Sequence, residues 1–188
     1  NLRVINIKLN EINGGSIEVI IAKNKSKRTR NTALIKKMRN DEKNISNKSF
    51  HNFSNRVKKV KNDLVSFIEK NHPIAGYGAS TKGNIVLNYC NINSNQMSYI
   101  CDANNQKFGK YTPGTNIKIV LKEKMRELKP KYLLVLIWSF RSEIIKQELN
   151  YIKNGGNLIF HLPKFHIINN RNYKKYINKD FKNLSYKY

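Results

Sequence analysis

Between residues 74 and 161 the chain alternates short apolar runs with amphipathic stretches, and this order constrains the fold more than any other feature. The runs at 74–77, 97–101, 117–120, 132–137 and 157–161 have strand length. The one at 132–137 is apolar throughout, as a strand buried on both faces of a parallel sheet should be. The stretches 81–89, 122–128 and 142–153 carry helical spacing, and Asn154-Gly155-Gly156 closes the last of them. Strand and helix in this order predict right-handed crossovers and a parallel sheet. The fold class is therefore α/β: a Rossmann-like, mostly parallel sheet with flanking helices.

A β-hairpin and a long helix precede that pattern. Leu2, Val4, Ile7 and Leu9 alternate with Arg3, Asn6 and Lys8, the Asn13-Gly14-Gly15 turn follows, and 17–22 forms the second strand. Beyond a basic linker at 23–30, residues 32–39 have the make-up of a short helix. Phe50, Phe53, Val57, Val60, Leu64, Phe67 and Ile68 then recur three or four apart, which predicts a long helix with this stripe in the core. Ser49 is its expected N-cap and Asn71-His72-Pro73 its stop. The expected organisation is a hairpin at 1–23, linker and helices at 24–72, a Rossmann-like domain at 73–168, and a basic Asn/Lys/Tyr-rich tail at 169–188.

Charge is the loudest compositional signal, with 36 Lys+Arg against 12 Asp+Glu and a formal charge of +24. The cations are spread along the whole chain, and lysine greatly outnumbers arginine, the residue suited to base edges and bidentate phosphate contacts. Abundant Lys, Asn and Ile are what an AT-rich genome encodes, so compositional drift explains the charge more simply than a nucleic-acid partner. The longest apolar run, 132–138, falls far short of the roughly 20 residues that cross a bilayer, and no export signal is visible. A soluble, cytoplasmic chain with no membrane partner is expected. Cys90 and Cys101 lie in apolar segments without metal-ligand spacing, so reduced core thiols are expected and no metal.

In open α/β sheets ligands bind beyond the carboxyl ends of the strands, at helix N-termini. Gly76-Tyr77-Gly78-Ala79-Ser80-Thr81-Lys82-Gly83-Asn84 would lie there. Gly76 and Gly78 allow a sharp turn and close approach to bare backbone, Ser80 can cap the next helix, and Lys82 adds a cation. The spacing matches neither GxGxxG nor the Walker pattern, since Lys82 precedes Gly83. Asp102 ends the second strand of this region, 24 residues after Gly78, near the offset at which dinucleotide-binding folds place a ribose-binding acid. A turn-capping role fits Asp102 as well. Lys110, Tyr111 and Thr115, then Trp138, follow later strands and offer cations, hydroxyls and a stacking ring. The four histidines, His51, His72, His161 and His166, form no evident catalytic pair, and no catalytic residue is assigned.

Taken in order, GYGASTKGN, LNYC, CDANNQKFGKYTPGTNIKI, KPKYLLVLIWSFRSEII and GGNLIFHLPK resemble the C-terminal domain of S-adenosylmethionine-dependent sugar C-methyltransferases. NGGSIEV is similar to the HGGS-type segment that ends that family's methyltransferase domain, so the resemblance covers residues 2–168. It implies transfer of a methyl group from S-adenosylmethionine to a carbon of a nucleotide-linked keto-sugar, a step in carbohydrate biosynthesis. The zinc-binding region, the S-adenosylmethionine site and the catalytic base would lie in domains upstream or in trans. This chain would bind substrate through Gly76, Gly78, Ala79, Ser80, Lys82, Asn84, Asp102, Lys110, Tyr111, Thr115 and Trp138, without catalysing alone. Asn13 departs from the family's usual histidine, and Ser139 stands where histidine or asparagine often follows the tryptophan. Two alternatives stay open: an NAD(P)-type dinucleotide-binding domain with Asp102 on the ribose, and a basic nucleic-acid-binding module.

Overall fold

A computed structural model describes residues 1–10, 12 and 15–179, and the chain divides into two compact units, Asn1–Arg56 and Val57–Tyr188. In the first unit, strands β1 (Leu2–Asn10) and β2 (Ser16–Lys23) pair antiparallel, with a register shift between Val4 and Asn6. Asn13 and Gly14 of the expected turn lie outside the described residues. Helix α1 (Thr32–Lys43) packs on β1, where Ile5 and Ile35 are buried, and Asn31 caps it by accepting from the Leu34 amide. The pairs Leu9–Ile17, Ile7–Val19 and Val4–Ile21 share one hairpin face. On it Ile17, Val19 and Ile21 are about half exposed.

Helix α2 (Asn47–Asn71) begins two residues before the expected cap. Ser46 fills that place: its Oγ accepts from the Ser49 amide, while the Ser49 Oγ accepts from the Ser46 amide, a reciprocal cap of the first turn. The predicted apolar stripe is buried only at Leu64 and Ile68, whereas Phe50 and Phe53 are mostly exposed. Periodicity identifies the face of a helix and is blind to how far the layer covering it extends.

The second unit holds a six-stranded sheet in the order β5-β4-β3-β6-β7-β8. Its strands are β3 (Ile74–Tyr77), β4 (Met97–Asp102), β5 (Ile119–Leu121), β6 (Tyr132–Val135), β7 (Asn157–Phe160) and β8 (His166–Ile168). All neighbours are parallel except β7 and β8. Helix α3 (Thr81–Cys90) follows β3, α4 (Lys122–Leu128) follows β5, and α5 (Arg141–Gln147) with α6 (Leu149–Lys153) follow β6. Leu64 and Ile68 of α2 and Leu87 of α3 pack with Ile74, Ile100, Leu134 and Ile159 on one face. Met125 of α4, Ile144 and Ile145 of α5 and Ile152 of α6 pack with Ala75, Tyr77, Leu133 and Phe160 on the other. A central sheet between two helical layers is the expected Rossmann-like arrangement, and burial on both faces explains why its strands read as continuous apolar runs.

The helix expected at 142–153 is broken at Glu148. Its side chain turns inward, only 2% of the residue exposed, to accept hydrogen bonds from the Tyr77 hydroxyl at 2.9 Å and the Arg126 guanidinium at 2.9 and 3.3 Å. A buried carboxylate needs such partners, and the interruption is slight: the Glu148 amide still donates to the Ile144 carbonyl and the Ile152 amide to the Glu148 carbonyl. Of the expected tail, Tyr173–Lys175 forms a 3-10 turn, with Tyr173, Tyr176 and Ile177 packed on the second core cluster. Residues 180–188 lie outside the described residues. No described helix is long and apolar enough to cross a membrane.

Candidate functional site

The chain leaves β3 for β4 and β5 on one side, then returns to place β6, β7 and β8 on the other. The carboxyl ends of β3 and β6 therefore form the switch point at which open α/β sheets bind ligands. Gly78, Ala79 and Ser80 leave β3 there, and Leu136, Ile137 and Trp138 leave β6.

The loop after β3 can follow its path only with glycines. Gly78 has φ +87°, and a Cβ there would lie 2.7 Å from Ile137 Cγ1 and 2.8 Å from Cγ2. A Cβ on Gly83 would lie 2.8 Å from Leu136 Cβ. The two switch-point loops thus touch through missing side chains. Ser80 caps α3, its Oγ accepting from the Gly83 amide at 3.0 Å. Lys82 is exposed in the first turn of α3.

Asp102 ends β4 with a crowded carboxylate. Oδ2 accepts from the Ala79 amide at 2.8 Å and from Lys107 Nζ at 3.2 Å, and Oδ1 accepts from the Asn104 amide at 2.8 Å. Lys107 also donates to the Ala79 carbonyl at 2.8 Å. Nothing in the sequence singles out Lys107, because only the 3-10 turn Asn105–Lys107 folds it back over the loop.

The loop at 109–116 packs on α3 through Asn88, whose Nδ2 donates to the carbonyls of Asn84 and Pro113. Thr115 is buried, its hydroxyl 2.7 Å from that of Thr112, which in turn accepts from the Ile117 amide. Lys110 and Tyr111 are exposed on the same loop, with Tyr111 bridged to Lys118. Asn84 Oδ1 is buried without a hydrogen-bond partner among the described residues. Trp138 is half-buried and packs on the core cluster of the α4–α6 face. Geometry therefore joins Gly78, Ala79 and Asp102 directly, links Asn84 to the 109–116 loop through Asn88, and sets Trp138 against a different layer.

Below this edge lies the Tyr77–Glu148–Arg126 network. Burial first, then the Glu148 carboxylate, pushes the Tyr77 phenol well above its usual range, so it remains a donor. Burial and the same carboxylate raise the Cys101 thiol to about 12, and burial also raises Cys90, so both free thiols stay protonated. At the end of β7, His161 is 1% exposed and neither ring nitrogen meets a partner among the described residues. Burial, then nearby His166, lowers its pKa to about 4, which leaves the ring neutral. The described residues contain no group of three or more His, Cys, Asp or Glu arranged to hold a metal ion.

Two comparisons bear on the family of the chain. A family model described as the C-methyltransferase C-terminal domain matches residues 11–163. The chain is also 28% identical over 173 residues to a protein of Streptomyces niveus named C-methyltransferase NovU, a match covering 89% of this chain. It spans only 41% of that relative's length.

Proposed function

The chain belongs to the C-methyltransferase C-terminal domain family, and from that premise we propose that it is the substrate-binding part of an S-adenosylmethionine-dependent enzyme that methylates a carbon of a nucleotide-linked keto-sugar. The observation that carries this reading is the glycine loop opening α3 at the β3/β6 switch point, with Lys82 exposed in the first helical turn. An anionic ligand gains from that ammonium, while the loop amides of Gly78, Ala79 and Ser80 are engaged within the chain. Lys110, Tyr111 and the amide of Asn84 supply further polar contacts from the neighbouring loop and helix, while Thr115 and the glycines shape the walls. Trp138 contributes through its packing behind the β6 loop.

Carbon methylation beside a ketone requires a base that removes the α-proton and a group that stabilises the enolate. His161 is buried and neutral, and Glu148 is committed to Tyr77 and Arg126, so neither is placed to serve as that base. We assign the chain binding and orientation, with the base and the methyl donor in a methyltransferase domain upstream or in trans. The alternative of an NAD(P)-type dinucleotide-binding domain with Asp102 on the ribose finds less support, because the carboxylate already accepts from Ala79, Asn104 and Lys107. The open apolar ladder on β1 and β2 supports a hairpin that ends a preceding methyltransferase domain.

The test is Lys82→Ala in the full-length enzyme. The KM for the sugar nucleotide should rise about fivefold, the ~1 kcal/mol of one accessible ion pair, with kcat retained. An unchanged KM would remove Lys82 from the site.

A further inference from the structure

In dinucleotide-binding sheets the amides opening the first helix meet a pyrophosphate, and the acid ending the next strand meets a ribose. In this chain the two groups meet each other. Ala79 donates its amide to Asp102 at 2.8 Å, and the Asp102 side chain is only 12% exposed. The adjacent amides are also used internally: Gly78 donates to the Cys101 carbonyl at 2.7 Å and Ser80 to the Gly78 carbonyl at 2.9 Å. Lys107 straddles the junction, bound to both the Ala79 carbonyl and the Asp102 carboxylate.

We propose that Asp102 and Lys107 form an internal clamp in which the carboxylate is the anion bound by the glycine loop. Asp102 is then a positioning residue that fixes the turn at residues 78–79 and excludes a dinucleotide pyrophosphate from it. The clamp accounts for a Rossmann-like loop with an acid near the ribose-binding offset in a chain whose family name carries no redox chemistry. A phosphate group approaching Ala79 meets a fixed negative charge at hydrogen-bond range, and the nearest ammonium is already shared. The anionic part of any ligand is thereby directed away from the loop amides. This holds whichever ligand the full enzyme takes.

The 188-residue chain titrated with inorganic pyrophosphate at low ionic strength, with the Ala79 amide followed by NMR, tests the clamp. In the wild type that resonance should stay in place even if pyrophosphate shifts amides beside exposed lysines. Asp102→Ala should free the amide and the Lys107 ammonium, giving a saturable Ala79 shift with affinity at least about tenfold tighter, a floor set by losing one unit-charge repulsion near a protein surface. Asp102→Asn keeps an acceptor for the Ala79 amide but loses the charge, so its Ala79 shift should saturate with an affinity between those of wild type and Asp102→Ala, a graded order that general destabilisation would not produce. A saturable Ala79 shift in the wild type overturns the proposal, and that titration decides even if Asp102→Ala fails to fold. A folded Asp102→Ala chain that binds no tighter than wild type overturns it too.

Discussion

Gly78→Ala puts the switch-point geometry to a quantitative test. The added methyl meets two separable penalties. A side chain at φ +87° costs about 1–2 kcal/mol in a left-handed backbone region. The methyl would also stand 2.7 and 2.8 Å from Ile137 Cγ1 and Cγ2, and 3.0 Å from Cδ1, well inside normal carbon contact. Cγ1 and Cγ2 both branch from Cβ, so a change in the outer torsion cannot clear them. Either the first torsion leaves its well or the end of β6 shifts, which costs about 1–3 kcal/mol. The total is about 2–5 kcal/mol, a large share of a typical domain's stability. Urea unfolding followed by Trp138 fluorescence reads this directly, because the chain has a single tryptophan and it lies in the Val57–Tyr188 unit. Adding Ile137→Ala should remove the steric part only, so the double variant falls short of the summed single effects by about 1–3 kcal/mol. A Gly78→Ala cost below about 0.5 kcal/mol, or single effects that simply add, would refute the contact between the two loops.

Two further outcomes follow from the buried polar groups. Arg126→Met should destabilise more than Glu148→Gln: it strands a buried carboxylate, worth about 3–5 kcal/mol, whereas glutamine still accepts from Tyr77 and leaves behind a half-exposed arginine. Thermal or urea melts of the two variants check the order, and equal effects would deny the asymmetry. His161, near His166 and not far in sequence from Lys164, is held at a pKa of about 4 against an ordinary 6.5, so the unfolded chain takes up its proton first as pH falls. Its contribution is complete above pH 6.5 and is lost as pH drops to about 4, amounting to about 3 kcal/mol. His161→Leu should flatten that acid limb in pH-dependent unfolding. An unchanged slope would mean the imidazole protonates freely in the folded state.

Much of the architecture is legible in the sequence because its cause is local. The fully apolar run at β6, the loop glycines before α3 and the glycine pair after α6 each report a backbone requirement that neighbouring residues satisfy. What stayed hidden depends on distant partners. Lys107 acquires meaning only when a 3-10 turn brings it over Ala79, and Glu148 turns inward to a tyrosine that lies far earlier in the chain. Antiparallel β8 has no signature in the sequence, since three residues carry too little pattern to declare a strand. At the candidate site the glycines and Ser80 could be read as turn and cap, while the three internal hydrogen bonds of Asp102 could not. A carboxylate's spare hydrogen-bonding capacity is a three-dimensional quantity.

The central position of β3 also sets an order of assembly. During synthesis β3 can dock with β4 and β5 as soon as they emerge, and those contacts bring Asp102 to the loop. The opposite wall must wait for β6, whose Leu133 pairs with Ala75 across a long intervening segment. Until then the other side of β3 is an open edge lined with apolar residues, the kind of surface on which partly made chains associate wrongly. Closing that loop late is entropically slow, and parallel pairings of this range form late in folding. The same crossing of the chain that creates the switch point between β3 and β6 therefore leaves that junction incomplete until β6 has emerged.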